Sequence, residues 1–128
     1  MNRNYLLALL MICFWAGEIA QAKSARKEIL VPAKSLKENK FNQPDGQFSY
    51  DYMAESENLV LFWAKSFGKD PAKYADKGKR FRPEEILKEG ERFYNYYVDK
   101  LKFADKKKSH SARNKMIIWM YNDDETTA

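Results

Sequence analysis

Two runs in the chain are apolar at consecutive rather than alternate positions: Leu59-Val60-Leu61-Phe62-Trp63-Ala64, which follows Asn58, and Met116-Ile117-Ile118-Trp119-Met120-Tyr121. Successive strand side chains point to opposite faces of a sheet, so each run is oily on both faces. That pattern belongs to interior strands of a sheet covered on both sides. Between them, Pro83 to Leu101 reads as one amphipathic helix. Pro83 suits the first helical position, where its missing N–H is not needed. Glu84 and Glu85 sit at the positive end of the helix dipole, with Lys100 and Lys102 at the other end. At the helical period, Ile86, Leu87, Gly90, Phe93, Tyr94, Tyr97, Val98 and Leu101 share one arc. Glu84, Glu85, Lys88, Glu89, Glu91, Arg92, Asn95 and Asp99 fall outside it. Gly90 lies inside the arc; a glycine there costs ~1 kcal/mol of helix propensity against alanine, and the expected return is close approach of helix to sheet.

Strand, helix and strand in this order predict a right-handed βαβ unit with parallel strands. The fold class is therefore α/β, with α+β as the alternative, and one amphipathic helix covers one sheet face. The flanking segments are less regular. Residues 23–48 form a polar, lysine-rich lead-in with one apolar knot, Ile29-Leu30-Val31, and a turn signal at Asn42-Gln43-Pro44-Asp45-Gly46. Ser49 to Ser56 is ambiguous and reads as a single helical turn. Ser66 to Arg80 and Asp105 to Asn114 read as long polar loops, and Asn122 to Ala128 as a frayed tail. The organisation is thus 1–22 signal peptide, 23–48 lead-in, 49–121 βαβ partial domain and 122–128 tail. The second sheet face must be covered by residues 23–57, by a protein partner, or by further C-terminal sequence. Two strands are fewer than an α/β sheet usually holds. The expectation is the opening part of a larger fold, or one that depends on a partner.

The amino terminus reads as an export signal: Arg3, an uncharged apolar stretch from Tyr5 to Ala16, and an A-x-A cleavage site at Ala20-Gln21-Ala22. The stretch is shorter than the ~20 residues that cross a bilayer as a permanent helix. Cleavage after Ala22 leaves no permanent membrane span and removes Cys13, the one cysteine. The mature chain then has no disulfide and no thiolate chemistry. The expected location is outside the cytoplasm: periplasm, cell surface or extracellular space.

The formal charge is +5, and removing Arg3 and Glu18 leaves it unchanged. Much of the excess lies in Lys77-Gly78-Lys79-Arg80 with Arg82, in Lys106-Lys107-Lys108, and between Lys23 and Lys40. No helix carries a continuous basic stripe, and aromatics do not interleave with the lysines as in a base-stacking platform. These read as solvated loop charges, with no nucleic-acid partner.

No catalytic or metal-binding set emerges. His110 is the only histidine and sits between Ser109 and Ser111, so a helical H-E-x-x-H pair is impossible. Asp123-Asp124-Glu125 lacks the spacing and central glycine of a calcium loop. Glu84, Glu85, Glu89 and Glu91 read as wet-face solubilisers, without the burial that tunes an acid. No cofactor is implied. The aromatic-rich stretch from Tyr50 to Trp63 is the remaining binding candidate. Tyr50, Tyr52 and Trp63 are its glycan- or peptide-platform residues, with core packing as the competing role.

Taken in order, several pieces resemble one family. Ser56-Glu57-Asn58-Leu59-Val60-Leu61-Phe62-Trp63, then Phe67-Gly68 and Asp70-Pro71, resembles the opening of a family of exported bacterial proteins of unknown function, avirulence-like. Phe81-Arg82-Pro83-Glu84-Glu85-Ile86-Leu87 is similar to that family's helix start, and Tyr96-Tyr97-Val98-Asp99-Lys100-Leu101-Lys102-Phe103 to its helix end. Lys115-Met116-Ile117-Ile118 resembles its next strand. The resemblance covers about residues 49–121 and implies a zincin-type metallopeptidase architecture, in which these elements precede a helix carrying H-E-x-x-H. No such helix occurs in this sequence, so no ligand or base is carried over. The resemblance implies a truncated, non-catalytic N-terminal portion of a zincin-like hydrolase. A small surface or periplasmic binding module is the alternative.

Overall fold

The computed structural model describes residues 26–122; the expected signal peptide and the acidic tail from Asp123 lie outside them. Both doubly apolar runs are strands. Labelled in chain order, the elements are α1 (Ala33–Glu38), β1 (Met53–Glu55), β2 (Leu59–Trp63), α2 (Pro83–Asn95), α3 (His110–Arg113) and β3 (Met116–Met120). The sheet order is β1-β2-β3, giving a mixed α/β fold. β2 pairs parallel with β3, Leu59 opposite Met116 and Trp63 opposite Met120, as strand-helix-strand order predicts. β2 is central and buried at every position, which accounts for its unbroken apolar run.

The third strand was not expected. Ser49 to Ser56 begins with a turn, in which Tyr52 N–H donates to the Ser49 carbonyl. It then becomes β1, antiparallel to β2 with Met53 opposite Phe62. Three residues without alternation give no strand signal of their own; pairing with β2 decides the conformation.

Alternation divides the sheet residues between two faces. Leu59, Leu61, Trp63 and Ile118 face α2; Val60, Phe62 and Trp119 face the other way. A Cβ at Gly90 would stand 2.6 Å from Leu59 Cδ1 and 3.7 Å from Ile118 Cδ1. The helix therefore comes as near to the sheet as its glycine allows. α2 packs mainly on β2 and extends to β1.

The lead-in covers the opposite face, although it has no helical periodicity. Phe41 packs edge-on against Phe62 at 5.1 Å between ring centroids and against Trp119 at 6.0 Å, and Phe48 against Trp119 at 4.8 Å. The turn between the two phenylalanines sets their positions. Lys40 and Asn42 take left-handed backbone conformations, and Asn42 N–H donates to the Phe48 carbonyl. Gly46 is needed because a Cβ there would lie 2.0 Å from the Lys40 carbonyl oxygen.

Three further expectations are corrected. The loop from Ser66 to Arg80 is built of three short 3₁₀ turns that bury Phe67 and Pro71. The loop from Asp105 to Asn114 contains α3. Asn122, expected to start a frayed tail, is buried, and its side chain bonds to Ser66 Oγ, Tyr74 OH and Lys79 Nζ.

Candidate functional site

α2 does not continue as an α-helix to Leu101. From Tyr96 to Lys100 it widens into a π-helical turn, in which Leu101 N–H reaches the Tyr96 carbonyl five residues back. Lys102 then adopts a left-handed conformation and ends the helix. The wider turn breaks the phase on which the apolar arc was drawn. Leu87, Tyr94 and Val98 are buried, but Phe93, Tyr97 and Leu101 remain about half exposed.

The exposed side of this arc borders a groove of about 650 Å³. Gly90, Phe93, Tyr97, Phe103, Met116 and Ile118 are among its lining residues. Its existence follows from the position of α2, which sits over β2 and β1 and leaves the α2-side face of β3 thinly covered. Met116 is accordingly 51% exposed.

β3 is also an edge strand. The residues next to its start show which way its backbone groups point. Met116 N–H donates toward β2, to the Asn58 carbonyl, and Lys115 N–H donates the other way, to the Glu28 carbonyl. By alternation, the amides of Ile117 and Trp119 face outward. Residues Glu28 and Asn114 form an isolated parallel bridge. Past it, no backbone bond among the described residues reaches this edge.

A partly buried polar corner ties the start of β3 to the rest of the fold. Glu91 Oε1 accepts from Ser56 Oγ at 2.6 Å and from the Asn58 backbone N–H at 2.7 Å. Its Oε2 accepts from Asn58 Nδ2 at 2.7 Å. Glu91 is therefore no wet-face solubiliser; it pins the β1–β2 hairpin to α2. Burial alone would raise its carboxyl, but the bonds from Asn58 and Ser56, with Lys27 nearby, outweigh it and hold the group below the usual glutamate range. Glu55 pairs with Arg26 and, at 3.0 Å, with Lys115. Glu55 Oε2 is buried without an aligned hydrogen bond, so its attraction to Lys115 is Coulombic. The Lys115 ammonium is buried and also donates to the Ser56 carbonyl. Burial, then Arg26, depresses its pKa, while Glu91 and Glu57 oppose that shift. Lys27 Nζ reaches Tyr94 OH at 2.9 Å and the Ser111 carbonyl at 2.5 Å. The Glu91 carboxylate is thus held ionised by the donors around it, an arrangement that fixes geometry.

The chain belongs to DUF6055, a family of unknown function, whose model matches residues 21–128. No curated protein and no solved structure matches it. Within this DUF6055 chain the three aromatic candidates do not form one platform. Tyr50 is half exposed and stacks edge-on with Phe41 and Phe62. Trp63 lies on the α2 side, 5% exposed, with its Nε1 donating to the Gly68 carbonyl at 3.0 Å. Tyr52 is partly exposed, with Lys69 Nζ 4.4 Å above its ring. The groove was missed from sequence because its residues were counted as buried helix arc. A zinc site of the kind the zincin resemblance implies does not fit these residues. His110 is exposed on α3, and no group of three or more His, Cys, Asp or Glu among the described residues is placed to hold a metal. No helix among them is long and apolar enough to cross a membrane.

Proposed function

We propose that this DUF6055 chain is an exported, non-catalytic scaffold portion of a zincin-like hydrolase architecture, whose sheet is extended by a further element at β3. The observation that carries this is an outer edge of β3 that no described residue pairs past Lys115, beside an apolar groove. A parallel strand with both faces apolar is normally interior to its sheet, and an exposed edge flanked by apolar surface is a site for strand or helix addition. The zincin-like part of the reading rests on the ordered resemblance from Ser56 to Ile118. The export part rests on Arg3, the Tyr5–Ala16 stretch and the Ala20-Gln21-Ala22 site, which lie almost wholly outside the family match.

The test is to express the full chain in a bacterial host, recover it from the cell fractions and sequence its amino terminus. Hydrogen exchange is then followed on the product. The expected results are an exported polypeptide beginning at Lys23 and rapid exchange at Ile117 and Trp119, with protected amides along β2. An unprocessed cytoplasmic product overturns export. Protected Ile117 and Trp119 amides in a clean monomer overturn the open edge. Stoichiometric tightly held zinc with peptidase activity overturns the non-catalytic role.

A further inference from the structure

The segment that follows the π-turn combines two exposures that rarely coincide. Phe103 is 79% exposed, more than any other large apolar residue described, and Leu101, two residues earlier, is about half exposed. From Asp99 to Arg113 the chain carries six basic side chains (Lys100, Lys102, Lys106, Lys107, Lys108, Arg113) against two acidic ones. All six basic residues are exposed.

Local bonding orders this presentation. The left-handed Lys102 ends the helix, and the exposed Phe103 after it meets the edge of Tyr97 at 5.9 Å between centroids and borders the groove. The Asp105 side chain accepts from the backbone N–H of Lys107 at 2.7 Å and of Lys108 at 3.2 Å. Its carbonyl accepts from Ser109 N–H and Oγ. The carboxylate is thus spent on shaping a turn whose lysines point to solvent. Asp99 is paired with Lys106, and six cations against two acids (6 − 2) leave the segment at +4.

We infer that this loop is an interfacial docking site for an anionic lipid surface, with Phe103 and Leu101 entering the acyl boundary and the lysines meeting the headgroups. Charge complementarity selects an anionic partner. The protruding apolar side chains select lipid over a soluble polyanion, which gains nothing from burying them. A protruding Phe103 also fits a soft surface better than a rigid peptide. The inference shares Phe103 with the groove of the scaffold reading, but its test reads vesicle binding at position 103 and not exchange at Ile117 and Trp119, so the two fail separately.

The experiment uses the full chain carrying Cys13→Ser and Phe103→Cys, labelled at position 103 with an environment-sensitive fluorophore. Phosphatidylcholine vesicles are compared with vesicles also containing phosphatidylglycerol. A control label at Lys73→Cys reports the loops after β2, at the opposite end of the sheet. The expected result is a blue shift at position 103 but not at 73, only on anionic vesicles, reversed by salt. In the chain with native Phe103, changing Lys106, Lys107 and Lys108 together to Gln should weaken partitioning about a hundredfold, and changing them to Arg should preserve it. Leu101→Ser should weaken it at constant salt. No shift at position 103, an equal shift on neutral vesicles, or full partitioning of the Gln variant overturns the inference. So does binding to a soluble polyanion or acidic peptide without vesicle binding.

Discussion

Glu91 has two carboxylate oxygens and three donors converging on them, all from the hairpin more than thirty residues earlier. Replacing it with alanine leaves the Asn58 amide groups without their acceptor in a partly buried corner. Glu91→Ala should cost about 3 kcal/mol of unfolding free energy, the range for bonds to a charged group, as measured by urea denaturation. Glu91→Gln should fall between it and the native chain, because its NH₂ opposes one of the donors. The contribution also depends on pH. The folded carboxyl lies below its unfolded value, so its stabilisation is fully present above the ordinary glutamate pKa of ~4.3 and is lost as pH falls through the folded value. The gap in stability between native chain and Glu91→Gln should therefore narrow from about pH 6 to about pH 3; a gap that stays constant refutes the ionised clamp. A helical wheel places Glu91 outside the apolar arc, and it does lie at that arc's margin. What it bonds to is set by the distant Ser56 and Asn58, whose polar side chains at the mouth of an apolar strand were the available signal.

At the scale of elements, Gly90 was legible and the π-turn was not. A glycine within an apolar arc marks a close approach, because nothing else about that position favours it. The space beyond it is small: the nearest atom is the end of the Leu59 side chain at 2.6 Å from a Cβ. Leu59 also borders the groove and has room to turn. Gly90→Ala should stay within about 1 kcal/mol of the native chain, since gained helix propensity offsets the displacement of Leu59. Gly90→Val adds bulk and a β-branch and should destabilise by about 2 kcal/mol or more. Equal thermal midpoints for the two variants would refute the close packing. The π-turn escaped notice because apolar spacing through Leu101 fits an α-helix well; its single extra residue per turn leaves no mark on composition. Its consequence is large, since it leaves Tyr97 and Leu101 on the surface. β1 escaped for a different reason: a strand of three residues takes its conformation from the neighbour it pairs with.

For the whole molecule, the open question raised by the sequence was how the second sheet face stays dry. Phe41 and Phe48 do that work from within residues 23–57, the segment the sequence offers for it. Phe48 is fully buried against Trp119 and Tyr121. Phe48→Ala should cost about 3–5 kcal/mol, a large share of the ~5–15 kcal/mol that holds a domain together. A loss below about 1 kcal/mol in urea titrations would mean that the lead-in is not part of the core. The groove beside β3 is the complementary case, an apolar surface that the described residues leave uncovered.

The chain's own letters determined the elements that depend on local periodicity: two strands apolar on both faces, one amphipathic helix between them, and therefore a parallel pairing across it. They determined charge too, down to the basic loop after the helix. Tertiary structure alone decided which of the helix's apolar residues would be buried, which carboxylate would be recruited, and which two phenylalanines would close the second face. Those outcomes depend on contacts between residues far apart in the chain, and no local pattern encodes the distance at which a helix settles over a sheet.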